Sequence, residues 1–278
     1  MLSASLSLIL AHHASVAPTT LDALLEKSSK GRWEELSLGD RVARVGIEFL
    51  GTPYVGGTLD KDPTSEACTV ILDGLDCVTF AETSLAIARA IGSHPSPSFD
   101  DVVAEVTFTR YRGGKVDGYL SRLHYTSDWI RDGVAKGSVR NVADGHRLAK
   151  NWPNPIGFMS ENADKYPALK ANPQLVSGLK EWEKALEAAP KPYFPVPAVP
   201  AVEGELKSGD IIAFTDYRKG LDCAHVGLIY VEKGKPRVLH ASSSMKKVIR
   251  DGSPSQVLAK NPRFTGIMVA RPLEKRYR

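Results

Sequence analysis

The chain has 278 residues, of which 42% are hydrophobic and 24% charged, and its formal net charge is +4. Those proportions exclude a disordered or collagen-like chain, and the length supports a full hydrophobic core in one large domain or two. With a charge this mild and Lys and Arg dispersed, no nucleic-acid partner is expected. No apolar run reaches the roughly 18 residues that a membrane-spanning helix needs. Three cysteines, Cys68, Cys77 and Cys223, are too few for a disulfide scaffold.

The chain starts MLSASLSLILAHHASVA, an apolar stretch from Leu6 to Ala11 followed by the small residues Ser15 and Ala17. This resembles the end of a secretory signal that lacks its positive leading segment. Residues 1–19 are therefore expected to be a flexible start or a signal remnant, ahead of a single domain over 20–278. Apolar residues at helical spacing predict helices over Thr20–Lys27 and Leu38–Leu50, with Asp22 and Ser37 near their starts. Val78, Ala81, Leu85, Ala88 and Ile91 mark one face of a helix that Gly92 and Pro95 end. Phe99–Val106 reads as helix and Thr107–Arg112 as a short strand before the Gly113-Gly114 turn, with further helices over Leu123–Lys136 and Pro173–Ala188.

Between Ala189 and Glu203 stand Pro190, Pro192, Pro195, Pro197 and Pro200, so 189–203 is expected to be an extended crossing that joins neither a helix nor a central strand. Beyond it the pattern changes to short runs rich in Ile, Val and Leu. Asp210–Phe214, Ala224–Val231 and Arg237–Ala241 read as strands, the last two joined as a hairpin by Gly-Lys-Pro at 234–236, with Met245–Ile249 and Thr265–Ala270 as further strands. Helices followed by strands predict an α+β fold.

Cys77 falls where the amphipathic helix of the front half begins, after Gly74 and Asp76. An ordinary thiol is only about 3% thiolate at pH 7. A helix N-terminus and a neighbouring imidazole can lower its pKa, and the free N–H groups there can hold an oxyanion. His225 stands early on one strand and His240 at the end of the next. Paired antiparallel strands can set two such imidazoles side by side, giving a nucleophile, a base and a group that orients the base. Cys223, two residues before His225, would lie about 6–7 Å from it along a strand and has no helix start behind it. Cys68 sits in a loop with no evident partner. No phosphate-binding loop and no zinc-ligand pattern is present; no metal and no cofactor are expected.

Gly51-Thr-Pro-Tyr-Val-Gly-Gly, Leu75-Asp-Cys-Val-Thr-Phe, Ser208-Gly-Asp-Ile-Ile, His225-Val-Gly-Leu and His240-Ala-Ser, in this order, resemble the NlpC-type papain-like cysteine hydrolases of bacterial cell walls. Ser121-Arg-Leu-His-Tyr-Thr-Ser-Asp-Trp and Phe158-Met-Ser resemble the N-acetylmuramoyl-L-alanine amidase-like branch, and the resemblance spans about Val45 to Pro272. It implies a papain-like core, with the helix bearing the cysteine packed on an antiparallel sheet and extra helices around it. It implies Cys77 as nucleophile, His225 as base, His240 as orienter and Tyr54 beside the cysteine. Cys223 and Ala224 depart from the family pattern. Arg122, whose guanidinium could pair with a substrate carboxylate, and His124, Tyr125, Asp76 and Ser160 complete the candidate substrate contacts, whereas Trp129 reads as core. The activity implied is hydrolysis of the N-acetylmuramoyl-L-alanine amide in peptidoglycan fragments by a monomer of the periplasm or cell envelope. The alternatives are a γ-D-glutamyl-diamino acid endopeptidase and a non-catalytic muropeptide-binding protein.

Overall fold

The computed structural model describes residues 20–60 and 62–274; the expected signal remnant and the last four residues lie outside the described residues. Helices α1 (Leu21–Lys30), α2 (Leu38–Glu48), α3 (Cys77–Ser93), α4 (Phe99–Arg110) and α5 (Thr126–Ala135) form the front half. Strands β1 (Val139–Asn141) and β2 (Lys150–Asn151) follow, then helices α6 (Phe158–Glu161), α7 (Pro167–Ala171) and α8 (Leu175–Ala188). The back half holds β3 (Pro192–Pro195), α9 (Val199–Val202), β4 (Ile211–Asp216), β5 (Cys223–Glu232), β6 (Lys235–Ser242), β7 (Lys247–Arg250), α10 (Pro254–Lys260) and β8 (Phe264–Pro272). The fold is α+β with one antiparallel sheet, ordered β2-β3-β8-β4-β5-β6-β7, and β1 pairs with the end of β8.

The sheet separates two apolar layers because strand side chains alternate in direction. Val226, Leu228, Leu239, Ala241 and Met268 face α2 and α3, meeting Val42, Phe80 and Leu85. Ile212, Phe214, Ile229, Val238 and Ile267 face the short helices α9 and α10 through Val199, Val202, Val257 and Leu258. Every residue of β4 is buried, as a central strand covered on both faces requires. A third cluster, around Tyr125, Met159, Leu169 and Leu179, joins the region before α5 to α6–α8.

Two expectations about local structure are corrected. Thr107–Arg112 is not a strand, because α4 runs on to Arg110. Thr107 and Thr109 satisfy their hydroxyls on the Val103 and Glu105 carbonyls at 2.8 and 3.1 Å, and buried Arg110 is drawn against α3 by Glu82 at 2.8 Å. Tertiary pairing thus overrides the strand preference of threonine. The Pro-rich segment, in turn, contributes both a strand and a helix. Prolines end β3 at both sides, so Tyr193 and Phe194 carry its interior, and β3 pairs with β2 and with β8. Gly266 permits this approach, since a Cβ there would lie 2.2 Å from the Phe194 carbonyl oxygen. In α9, Pro200 occupies the first turn, where no helical N–H is missed. The helix predicted from Leu123 starts at Thr126. No helix among the described residues is long and apolar enough to cross a membrane.

Candidate active site

Cys77 is the first residue of α3, half-buried at the edge of the helix layer. Asp76 caps that helix. Its Oδ1 accepts the N–H of Val78 at 3.0 Å and of Thr79 at 2.8 Å, and the Asp76 N–H donates back to Thr79 Oγ1 at 2.9 Å, a reciprocal capping box. The approach to Cys77 is fixed as well. Tyr54 donates its N–H to the Lys246 carbonyl at 2.9 Å, and Leu75 and Pro53–Val55 exchange backbone bonds at 3.0 and 3.1 Å. The Gly51–Tyr54 segment is thereby held between the β6–β7 turn and the residues leading into α3. Tyr54 comes close enough to Cys77 for their charges to interact.

On the sheet, His225 and His240 meet. His225 Nε2 lies 2.7 Å from His240 Nδ1, with the rings nearly perpendicular and 4.8 Å apart. The strand register accounts for the meeting: Leu228 pairs with Leu239, which sets the segment beginning at His225 diagonally across from His240. A register break in the β4–β5 pairing falls between Phe214, opposite His225, and Thr215, opposite Cys223. Cys77 comes near β5 at the neighbouring residue, close enough for the Val226 N–H to favour its thiolate.

The electrostatics differ from the sequence expectation of a depressed thiol pKa. Burial, and after it the Asp76 carboxylate, push the Cys77 thiol up to about 11. The N–H groups of Val226, Cys77 and Val78 oppose this without prevailing. The first physical reason is the covering of the sulfur, and the second is the cap: the carboxylate that satisfies the helix start also offsets its positive end. Burial, with the His240 ring beside it, pushes His225 down to about 3. The resting pair is thus a neutral thiol and a neutral imidazole. Two of the N–H groups expected to serve an oxyanion, those of Val78 and Thr79, are already occupied by Asp76.

The remaining candidates are engaged in three separate sets of contacts. His124 Nε2 donates to the Tyr119 carbonyl, 3.0 Å away, and burial followed by the Arg122 charge pushes the ring down to about 3. With Val78, Val226 and Trp129 it lines a mostly apolar cavity of about 50 Å³ beside Cys77. Tyr125 and Ser160 meet at Glu183: the Tyr125 hydroxyl donates to Glu183 Oε1 at 2.6 Å and accepts the Met159 N–H at 2.9 Å, and the Ser160 N–H reaches the same oxygen at 3.1 Å. Arg122 is buried and its guanidinium is already engaged, by Glu66 at 2.7 and 3.0 Å, Asp60 at 2.8 Å and the Leu59 carbonyl at 3.1 Å. It ties down the loop at 59–66. Cys223 is buried against the Met268 sulfur at 3.9 Å, and burial raises its pKa well above the ordinary value. Trp129 belongs to the main apolar core.

The sequence reading did not identify Asp251 or the groove it shares with the histidines. Asp251 Oδ2 faces His240 Nε2 at 3.7 Å. Both line an open groove of about 550 Å³ with His225, Ser242–Ser244, Lys260 and Arg263. The Asp251-Gly252 pair reads as a turn in sequence, and only the β6–β7 register, His240 opposite Ile249, brings it beside the histidine.

Residues 44–267 match the family described as N-acetylmuramoyl-L-alanine amidase-like. No curated protein matches the sequence. Among solved structures, an N-acetylmuramoyl-L-alanine amidase from Bacteroides uniformis is 34% identical, with a TM-score of 0.78 over 86% of this chain and 99% of that one. A proposed xylanase from Bacteroides fragilis is 35% identical, with a TM-score of 0.73 over 82% of this chain and 99% of that one. A Legionella pneumophila protein at 21% identity and a TM-score of 0.62, covering 90% of this chain and 96% of that one, shares the fold. The chain is a member of the N-acetylmuramoyl-L-alanine amidase-like family.

Proposed function

We propose that the protein is a cysteine amidase that hydrolyses the amide between the lactyl group of N-acetylmuramic acid and L-alanine in soluble muropeptides. One observation carries the reading: Cys77 starts a capped helix against the Val226 N–H, and the adjacent His225 is joined to His240 at 2.7 Å. The family and the named B. uniformis amidase support the bond. The order of the motifs and a cysteine helix packed on an antiparallel sheet support an NlpC-type papain-like core in a single catalytic domain. Such an enzyme acts in the periplasm or cell envelope, where its substrate arises.

The chemistry follows from a neutral resting pair. As the Cys77 sulfur attacks the carbonyl carbon, its proton passes to His225, so the thiolate exists only while the S–C bond forms. His240 accepts from His225 Nε2 and steadies the resulting imidazolium. The Cys77 N–H and the Tyr54 hydroxyl are the donors near the developing oxyanion. The imidazolium then gives its proton to the alanine nitrogen, the C–N bond breaks and the peptide leaves. Water attacks the thioester with His225 as base, releasing the muramyl carboxylic acid and returning the proton to the sulfur.

Mass spectrometry of a disaccharide tetrapeptide incubated with the wild-type chain and with Cys77→Ala tests the reading. Release of the whole tetrapeptide, lost in the variant, is the expected result. A dipeptide left on the sugar would mean an endopeptidase, and unchanged substrate in both samples would favour a binding protein.

A further inference from the structure

His225 and His240 share a single hydrogen bond, and two neutral imidazoles can share it in either direction. In one arrangement His225 Nε2 donates to His240 Nδ1, and His225 Nδ1 is bare. In the other, His240 Nδ1 donates, His225 carries its proton on Nδ1, and that nitrogen cannot take a proton from a thiol. Something must choose between them, and the pair alone does not.

Asp251 has the geometry to choose. Its Oδ1 is filled, accepting the Gly252 N–H at 2.6 Å and the Lys260 ammonium at 2.6 Å. Its Oδ2 is the oxygen that faces His240 Nε2 at 3.7 Å, and that buried nitrogen has no hydrogen-bond partner among the described residues. The carboxylate is held in place by its own backbone. The Asp251 N–H donates to the Val238 carbonyl at 2.8 Å, and the Val238 N–H donates to the Gly252 carbonyl at 3.0 Å. Lys260 arrives from the end of α10, whose start is locked by the Ser253–Gln256 capping box. Burial would lift the Asp251 carboxyl, but Lys260 and the Gly252 N–H outweigh it and hold the group below the usual carboxylate range. A carboxylate only accepts hydrogen bonds, so it disfavours a bare Nε2 lone pair and favours Nε2–H. The separation is long for a resting hydrogen bond, and contacts of this kind tighten as charge develops on the ring.

We propose that Asp251 is a positioning residue that fixes the protonation pattern of the histidine pair, keeping the His240 proton on Nε2 so that His225 donates through Nε2 and presents a bare Nδ1 to Cys77. The inference rests on the assignment of Cys77, His225 and His240 as the reacting set. Asp251 acts through His240 rather than on the sulfur, and Lys260 acts one step further out by holding the Asp251 carboxylate in place.

The test is the imidazole region of long-range 1H–15N spectra of the full chain near pH 7, with His240→Gln and His225→Gln assigning the signals. It is run on wild type, Asp251→Ala and Asp251→Asn, beside kcat and KM on the disaccharide tetrapeptide. Wild type is expected to carry both protons on Nε2. Asp251→Ala is expected to mix the His240 tautomers and to lower kcat about 10- to 100-fold with KM within about twofold, by analogy with the loss of a partner that orients a metal-binding histidine. Asp251→Asn, whose amide oxygen can still accept from Nε2–H, should keep the tautomer and recover part of kcat. A wild-type His240 protonated on Nδ1 overturns the inference, as does an unchanged tautomer and kcat in Asp251→Ala. If the alanine variant does not fold, the wild-type and asparagine spectra decide. A chain that carries this pattern yet leaves the muropeptide intact would sink the substrate reading and leave the role of Asp251 standing.

Discussion

Gly227 packs directly on the strand that carries His240: a Cβ at this position would lie 2.7 Å from the Leu239 carbonyl oxygen and 3.2 Å from His240 Cβ. The contact is with backbone, so a side chain cannot be accommodated by a rotamer change, and β5 and β6 would have to part. Gly227→Ala should therefore cost about 1–3 kcal/mol of stability through overpacking. It should also lower kcat by about 10-fold or more, because His225 and His240 lose their 2.7 Å contact. Thermal unfolding and steady-state kinetics on the same sample check both. Full activity in the variant would show that the imidazole pair tolerates strand displacement.

A thiol pushed up to about 11 by burial and by Asp76 is predominantly protonated at neutral pH. Iodoacetamide should therefore label Cys77 more slowly than a free cysteine peptide, and the rate should climb about tenfold per pH unit from pH 6 to about pH 10, since only the thiolate reacts. Asp76→Asn removes the second cause and should raise the rate at any pH in that range. A labelling rate that levels off near pH 6 would show instead a thiolate–imidazolium pair at rest.

Most of the architecture was legible because it rests on local pattern. The apolar face from Val78 to Ile91 and five of the six back-half strands, all but β3, appear within a few residues of where the periodicity put them. The two histidines meet because strand pairing is a short-range rule, readable from a hairpin. What was not legible depends on tertiary partners. Arg110 ends a helix rather than a strand because Glu82 draws it in, and the thiol pKa rises because the sulfur is covered and, second, because the cap residue is an anion. Tyr125 and Trp129 do not share a helix face, since Tyr125 stands before the first turn of α5 and turns to Glu183 while Trp129 enters the main core. Asp251 needed a register that the turn at Ser243–Lys246 does not disclose in sequence.

Arg122 presents the sharpest difference between residue type and residue task. Its four polar contacts to Glu66, Asp60 and Leu59 leave it no free edge for a substrate carboxylate. Arg122→Ala would leave the buried Glu66 carboxylate without its cation, held only by the Tyr111 hydroxyl at 2.7 Å, and should cost about 3–5 kcal/mol, read as a lower urea midpoint. Arg122→Lys should recover only part of this, because a single ammonium cannot reproduce the fork. An unchanged midpoint with a large rise in KM would return Arg122 to the substrate.

Acid stability follows from the two histidines that burial keeps neutral. His225 and His124 are both pushed down to about 3 in the folded chain, against about 6.5 when unfolded. Between those values the unfolded chain binds protons that the folded chain does not. Stability is therefore lost as pH falls from about 7 towards 3, and is regained on returning to neutral pH. Urea midpoints measured at about pH 7, 6, 5 and 4 should decline in wild type. His124→Gln can still donate to the Tyr119 carbonyl but has nothing to protonate, so its midpoint should decline less steeply even if it starts lower. Parallel slopes for the two proteins would mean that His124 takes up its proton without unfolding, and that the acid sensitivity comes from elsewhere in the chain.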